Sequence, residues 1–345
     1  MRPTGSSTNL QPTRSPELTY SAAIREGLHQ ALGASKDVIV IGQLVDYKSG
    51  VFGTTTGLVE TYGRDRVQDF PVSEATMTSV ALGAALAGKR PVIVHQRVDF
   101  MMYAMDSIVN WLALWHFKSN GHSTAPVVIR AIVGKGWGQG PQHSKSLHAW
   151  FAHLPGLKVA MPATAYDAKG LLLESIFGED PCLILESRSL FSQTTPVPEA
   201  MYRSRYGKAV LRKHGRDVTI VAIGHLVPLA MRAAHELVKD GVDAEVVDLR
   251  TIKPFDRACI LESVGKTKRL VVADPGWHVA GFAAEIIATV TEELGDRLAA
   301  KPVRVTFPDS HTPMTQRLEA QFYPTQESIQ AAVMKVLSGR RVRNE

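Results

Sequence analysis

The chain has 345 residues, 45% hydrophobic and 21% charged, a balance that fits two globular domains with their own cores and argues against a disordered or fibrous chain. Its formal charge of +6 comes from scattered Lys and Arg, with no basic stripe interleaved with aromatics, which argues against nucleic acid as a partner. No apolar run approaches the ~20 residues that span a bilayer, and Cys182 and Cys259 lack the close spacing of a metal site or disulfide framework, so a reducing cytoplasm suits them.

The first sixteen residues, rich in Ser, Thr and Pro, lack the apolar core of a secretory signal and are expected to form a disordered tail. From Asp37 onward, short β-branched runs alternate with helical stretches, which predicts parallel sheets flanked by helices. DVIVIGQL (37–44) and VQDFPV (67–72) read as strands. An Ala- and Gly-rich helix follows from about Ala75 to Gly88, then the strand PVIVHQ (91–96), a helix from about Met101 to Ser119, and the strand PVVIRAIVG (126–134). The next segment, KGWGQGPQHS (135–144), holds too many glycines for a helix or strand and reads as a loop at a sheet edge, a position that often carries function. LKVAMPA (157–163), a helix around Asp167 to Phe177 and the strand CLILES (182–187) close the first half.

A turn-prone stretch from about Leu190 to Arg216 reads as the link to a second alternating set. That set runs DVTIVAIG (217–224), a helix to about Lys239, DAEVVDLR (243–250), a helix near Asp256 to Gly265, RLVVADPG (269–276), a helix from about Gly281, and PVRVTF (302–307). The expected fold class is therefore α/β with two doubly wound domains, over 17–195 and 216–340, joined by a linker over 196–215. The glycines of IVGKGWGQG (132–140) do not follow G-x-G-x-x-G spacing, so a nicotinamide dehydrogenase is a weak reading.

Five strings share an order and spacing: PVSEATMTSVALGAALAGKRPV (71–92), QHS (142–144), LPGLKVAMPATAYDAKGLL (154–172), DLRTIKPFD (248–256) and GW (276–277). With them the chain, from about Tyr20 to Leu337, resembles the beta subunit of the thiamine-diphosphate-dependent 2-oxo acid dehydrogenases, in the transketolase-like superfamily. The resemblance implies a pyrimidine-binding domain followed by a transketolase C-terminal-like domain. It also implies that Glu74 hydrogen-bonds the cofactor's aminopyrimidine N1′, favouring the tautomer that removes the thiazolium C2 proton. A carboxyl buried enough to share its proton suits that task. Without the resemblance, Ser73 would simply cap the following helix and Glu74 would complement its dipole. By the same resemblance His143 is the active-site histidine, able to hydrogen-bond a substrate carbonyl or move a proton. Phe100 would stack on the pyrimidine, with Tyr103 and Gln43 also on the cofactor side. His148 reads as structural.

The diphosphate and its Mg²⁺ are expected on an alpha-type subunit, through a GDG motif followed by an asparagine, because hard oxygen ligands suit that ion. No GDG occurs in this sequence. The resemblance thus implies an alpha-2 beta-2 tetramer that is inactive without alpha. The C-terminal domain would pair beta with beta, and a lipoyl acyltransferase would take the acyl group. Two residues depart from the family pattern: Gln43 stands where a glutamate is usual, and Arg97 interrupts the aliphatic or small residues expected before the aromatic. Arg97, three residues before Phe100, is positioned to recognise an anionic group on the substrate. The alternatives are a ketol or acyl transferase of transketolase type without lipoyl coupling, and a scaffolding homologue without turnover.

Overall fold

The computed structural model describes residues 15–134 and 138–338. Residues 1–14 of the expected tail, 135–137 of the glycine-rich loop and 339–340 at the end of the second domain lie outside the described residues.

The strand Val38–Gly42 is the model for the rest of its sheet: every residue but Ile39 is buried, because helices cover both faces of a parallel sheet and leave no polar side to alternate with. Seven strands line up in the order Thr251–Lys253, Lys158–Ala160, Cys182–Ser187, Val128–Val133, Arg90–His95, Val38–Gly42 and Val67–Asp69. All pairs are parallel except the first, which is antiparallel. From Val38–Gly42 the chain goes outward to Val67–Asp69, then returns to Arg90–His95 on the other side. This reversal opens a crevice beyond the carboxyl ends of Val38–Gly42 and Arg90–His95, where doubly wound sheets bind ligands.

The second sheet runs Val303–Phe307, Leu270–Trp277, Val218–Ala222, Ala244–Asp248 and Val210–Lys213, with only the last strand antiparallel. The two halves share one core, in which Met77, Ile93 and Ile129 pack in the same cluster as Ile260, Val272 and Ile286. Polar contacts cross the boundary as well. Arg212 binds Asp167 and, at 2.7 Å, Asp248, while Arg250 reaches Asp167 at 3.0 Å. His148 is wholly buried, with Nε2 2.7 Å from Asp274 Oδ1 and Nδ1 3.2 Å from the Ser146 hydroxyl. Among the described residues, no helix is long and apolar enough to cross a membrane.

Three expectations change. The strand expected over 67–72 ends at Asp69, since Pro71 has no N–H for the ladder, and Val72 is left 83% exposed. The single helix expected from Met101 to Ser119 is broken into Val98–Met101, a tight turn Met102–Ala104, a widened turn Ser107–Leu112, and Trp115–Lys118. The widened turn, closed by Ala113 N–H donating to Ile108 O at 2.9 Å, keeps Ile108, Leu112 and Ala113 all buried. The stretch read as turn-prone holds the strand Thr194–Pro196, paired with Glu17–Thr19, and the edge strand Val210–Lys213. Both are short edge pairs whose sequence carries no alternation.

Candidate active site

The crevice brings loops from four strands together. Gln43 follows Val38–Gly42, and Glu74 opens the helix Glu74–Leu86 that follows Val67–Asp69. Both side chains are buried, with Gln43 Nε2 in a long 3.5 Å contact to Glu74 Oε1. Ser73 makes no side-chain cap to the helix; its hydroxyl donates instead to Thr76 Oγ1 at 2.7 Å. The bland reading of this pair, a capping serine beside a dipole-complementing acid, therefore loses its first half. Glu74 is thus a buried carboxyl group at a helix N-terminus, with one amide beside it.

Phe100 and His143 meet edge to face, with centroids 5.4 Å apart and ring planes at 88°. Phe100 is held by the one-turn helix Val98–Met101, and His143 by the end of the glycine-rich loop. No hydrogen bond from a described residue fixes the His143 ring nitrogens. Tyr103, one turn beyond Phe100, is 77% exposed.

Arg97 is only 2% exposed. Its guanidinium donates to the Gly134 carbonyl at 3.3 Å and to Gln139 Oε1. No hydrogen bond joins it to Asp99, which instead pairs with Lys145 at 3.0 Å. Arg97 and Arg188 approach the same Phe52 ring, at 5.8 and 4.8 Å from its centroid, and burial lowers the pKa of both. Just below, at the end of its strand, His95 is fully buried with neither ring nitrogen hydrogen-bonded among the described residues, and burial lowers its pKa to about 4.

Phe52, Arg188, Glu319 and Tyr323 were not singled out by the sequence. They come from three separate stretches of the chain, around Phe52, Arg188 and the helix Gln316–Phe322, and nothing in their spacing marks them before the fold brings them together. The helix Glu74–Leu86 supplies a further unexpected feature. Ala75, Ser79, Gly83 and Ala87 form an exposed stripe at four-residue spacing, with Val80, Leu86, Tyr103, Leu114 and Phe117 exposed nearby. This exposed surface begins beside Glu74.

The family model for the transketolase pyrimidine-binding domain matches residues 16–193, and that for the transketolase C-terminal domain matches residues 207–329. The chain is 39% identical to the pyruvate dehydrogenase E1 component subunit beta-1 of Arabidopsis thaliana over 91% of its own length and 87% of that protein. The chain belongs to the beta-subunit family of the 2-oxo acid dehydrogenases. Within this beta-subunit family it is also 38% identical to the pyruvate dehydrogenase E1 component subunit beta of Bacillus subtilis, with 93% and 99% covered. The same identity holds to the acetoin:2,6-dichlorophenolindophenol oxidoreductase subunit beta of Cupriavidus necator, with 94% and 98% covered. A solved structure described as a split-gene transketolase, an inactive beta4 tetramer, superposes with a TM-score of 0.74 at 25% identity, covering 94% of this chain and 99% of that one.

Proposed function

We propose that this chain supplies the aminopyrimidine half of a thiamine-diphosphate site and works, with an alpha-type subunit, as a decarboxylating, acyl-transferring 2-oxo acid dehydrogenase. The observation that carries this reading is the buried Glu74 beside Gln43, at the reversal of the sheet and at the head of an exposed apolar helix face. When bound, the cofactor supplies a basic aminopyrimidine and an acidic thiazolium carbon. Glu74 would hydrogen-bond N1′ from its buried place at the head of the helix Glu74–Leu86. Gln43 keeps the hydrogen bond that a glutamate would give but adds no charge, which leaves Glu74 as the acid of this pair. Phe100 offers a flat apolar face, and His143, held edge-on against it, delivers or receives a proton at the substrate oxygen.

The buried Glu74–Gln43 pair and the nearby Phe100 fit the pyrimidine. The family resemblance assigns the Mg²⁺ and diphosphate ligands to the alpha-type partner, whose surface would cover the Ala75–Ala87 stripe and bring Tyr103 to the pocket wall. The related split-gene transketolase, described as an inactive beta4 tetramer, supports a site that is incomplete without alpha. Identity near 38% to dehydrogenase beta subunits, against 25% to that transketolase, favours the dehydrogenase, with a lipoyl acyltransferase as acceptor.

Calorimetric titration of thiamine diphosphate with Mg²⁺ into the chain alone and into the chain with its alpha-type partner tests this. Tight binding is expected only with the partner. Tight Mg²⁺-dependent binding by the isolated chain would overturn the two-chain site.

A further inference from the structure

The loop that carries His143 is gripped from two directions. From the first domain, Arg97 donates to Gly134 O and Gln139 Oε1, and Lys145 donates to Asp99 Oδ1 at 3.0 Å and to Pro141 O at 2.8 Å. From the second domain, 181 residues further along the chain, Glu319 Oε2 accepts the backbone N–H of Gly138 at 3.0 Å. The fit is close. Gly138 and Gly140 both have positive φ, +69° and +66°, and a Cβ on either would lie 2.5 Å from Met314, at its carbonyl oxygen and its Cγ respectively. Glu319 is buried, and its other oxygen has no hydrogen-bond partner among the described residues. Tyr323, also buried, stands beside Ser144, the residue after His143.

We infer that Glu319 is a positioning residue for catalysis: through Gly138 it fixes the loop that sets His143 against Phe100, so the second domain governs the proton-transfer half of the site. The inference rests on the thiamine-diphosphate reading above. Arg97 belongs to the same device as a strut beneath the loop, with its guanidinium already committed to Gly134 and Gln139. A buried carboxylate on a backbone N–H is a strong, directional contact, and a catalytic group displaced by about 1 Å loses on the order of a hundredfold in rate.

The geometry separates two steps. Glu74 lies at the head of a separate helix, so removal of the C2 proton should not depend on Glu319, whereas steps that use His143 should. In the complex reconstituted with the alpha-type partner, Glu319→Ala is expected to lower kcat at least about tenfold. Proton–deuterium exchange at the cofactor C2, followed by NMR, should stay at the wild-type rate. Glu319→Gln retains an oxygen that accepts the Gly138 N–H and should restore most of kcat. Wild-type kcat in Glu319→Ala would overturn the inference, and so would equal losses of exchange and turnover in both variants, the sign of general damage. Absence of C2 exchange in the wild-type complex would instead sink the thiamine-diphosphate reading itself.

Discussion

His95 makes the floor of the crevice sensitive to acid. It ends the strand Arg90–His95, in register with Ala131 of the neighbouring strand, and burial depresses its pKa from an ordinary 6.5 to about 4. The unfolded chain therefore takes up a proton near pH 6.5 that the folded chain refuses until about pH 4. The neutral ring's contribution is fully present above pH 6.5, falls as pH drops through the window between the two values, and is constant below it. With ~1.36 kcal/mol for each unit, the whole window is worth about 3 kcal/mol, of which about 2 kcal/mol is lost between pH 7.5 and pH 5. His95→Phe keeps an aromatic ring of similar size and removes the ionisable group, along with two buried nitrogens that lack partners among the described residues. Urea unfolding of wild type and variant, followed by circular dichroism at pH 7.5 and pH 5 and one protein concentration, compares the two losses. Wild type should lose about 2 kcal/mol more than His95→Phe on acidification. Parallel losses, agreeing within about 0.5 kcal/mol, would refute the assignment of a buried neutral imidazole.

Glu74→Gln, in the reconstituted complex, is expected to abolish C2 exchange while leaving the complex assembled, because an amide cannot share the proton; unchanged exchange measured by NMR would remove Glu74 from the reaction. Gly83→Leu places its side chain where a Cβ meets nothing within 4 Å, so the chain should fold with an unchanged or raised melting temperature. Helix propensity alone favours the leucine by up to about 1 kcal/mol. The same side chain should block the partner's approach, so co-elution with the alpha-type subunit on a sizing column should be lost. Undiminished co-elution would detach the Ala75–Ala87 stripe from the interface.

The alternation of apolar strands with helices was legible because burial on both faces writes itself into composition: Val38–Gly42, Val128–Val133 and Cys182–Ser187 all stand inside the runs expected to be strands. The Phe100–His143 contact and the Gln43–Glu74 contact join residues that the sequence had marked through family resemblance. What failed was local. Pro71 cut a strand short, a widened turn broke a helix without any Gly or Pro to announce it, and Val210–Lys213 found its partner only through the second sheet. Arg97 shows the other limit. Its position suggested a ligand, yet the direction of its donors depends on Gly134 and Gln139, which no spacing rule connects to it.

These contacts change the place of the second domain in the chemistry. A domain that served only to pair one beta chain with another would need a surface of its own and little else. Here it completes the first sheet through Thr251–Lys253, buries Asp274 against His148, and reaches Gly138 through Glu319. Each link meets a different part of the first domain, respectively the sheet edge, the helix His148–Ala152 that follows the loop, and the loop itself. A rigid shift between the domains would have to break all three together with the shared apolar core, so small relative displacements are costly. On the proposed role of Glu319, His143 keeps its precision because residues 138–144 are packed from outside their own domain. That arrangement leaves the stripe from Ala75 to Ala87 exposed, the face that the proposed alpha-type partner would cover to finish the site.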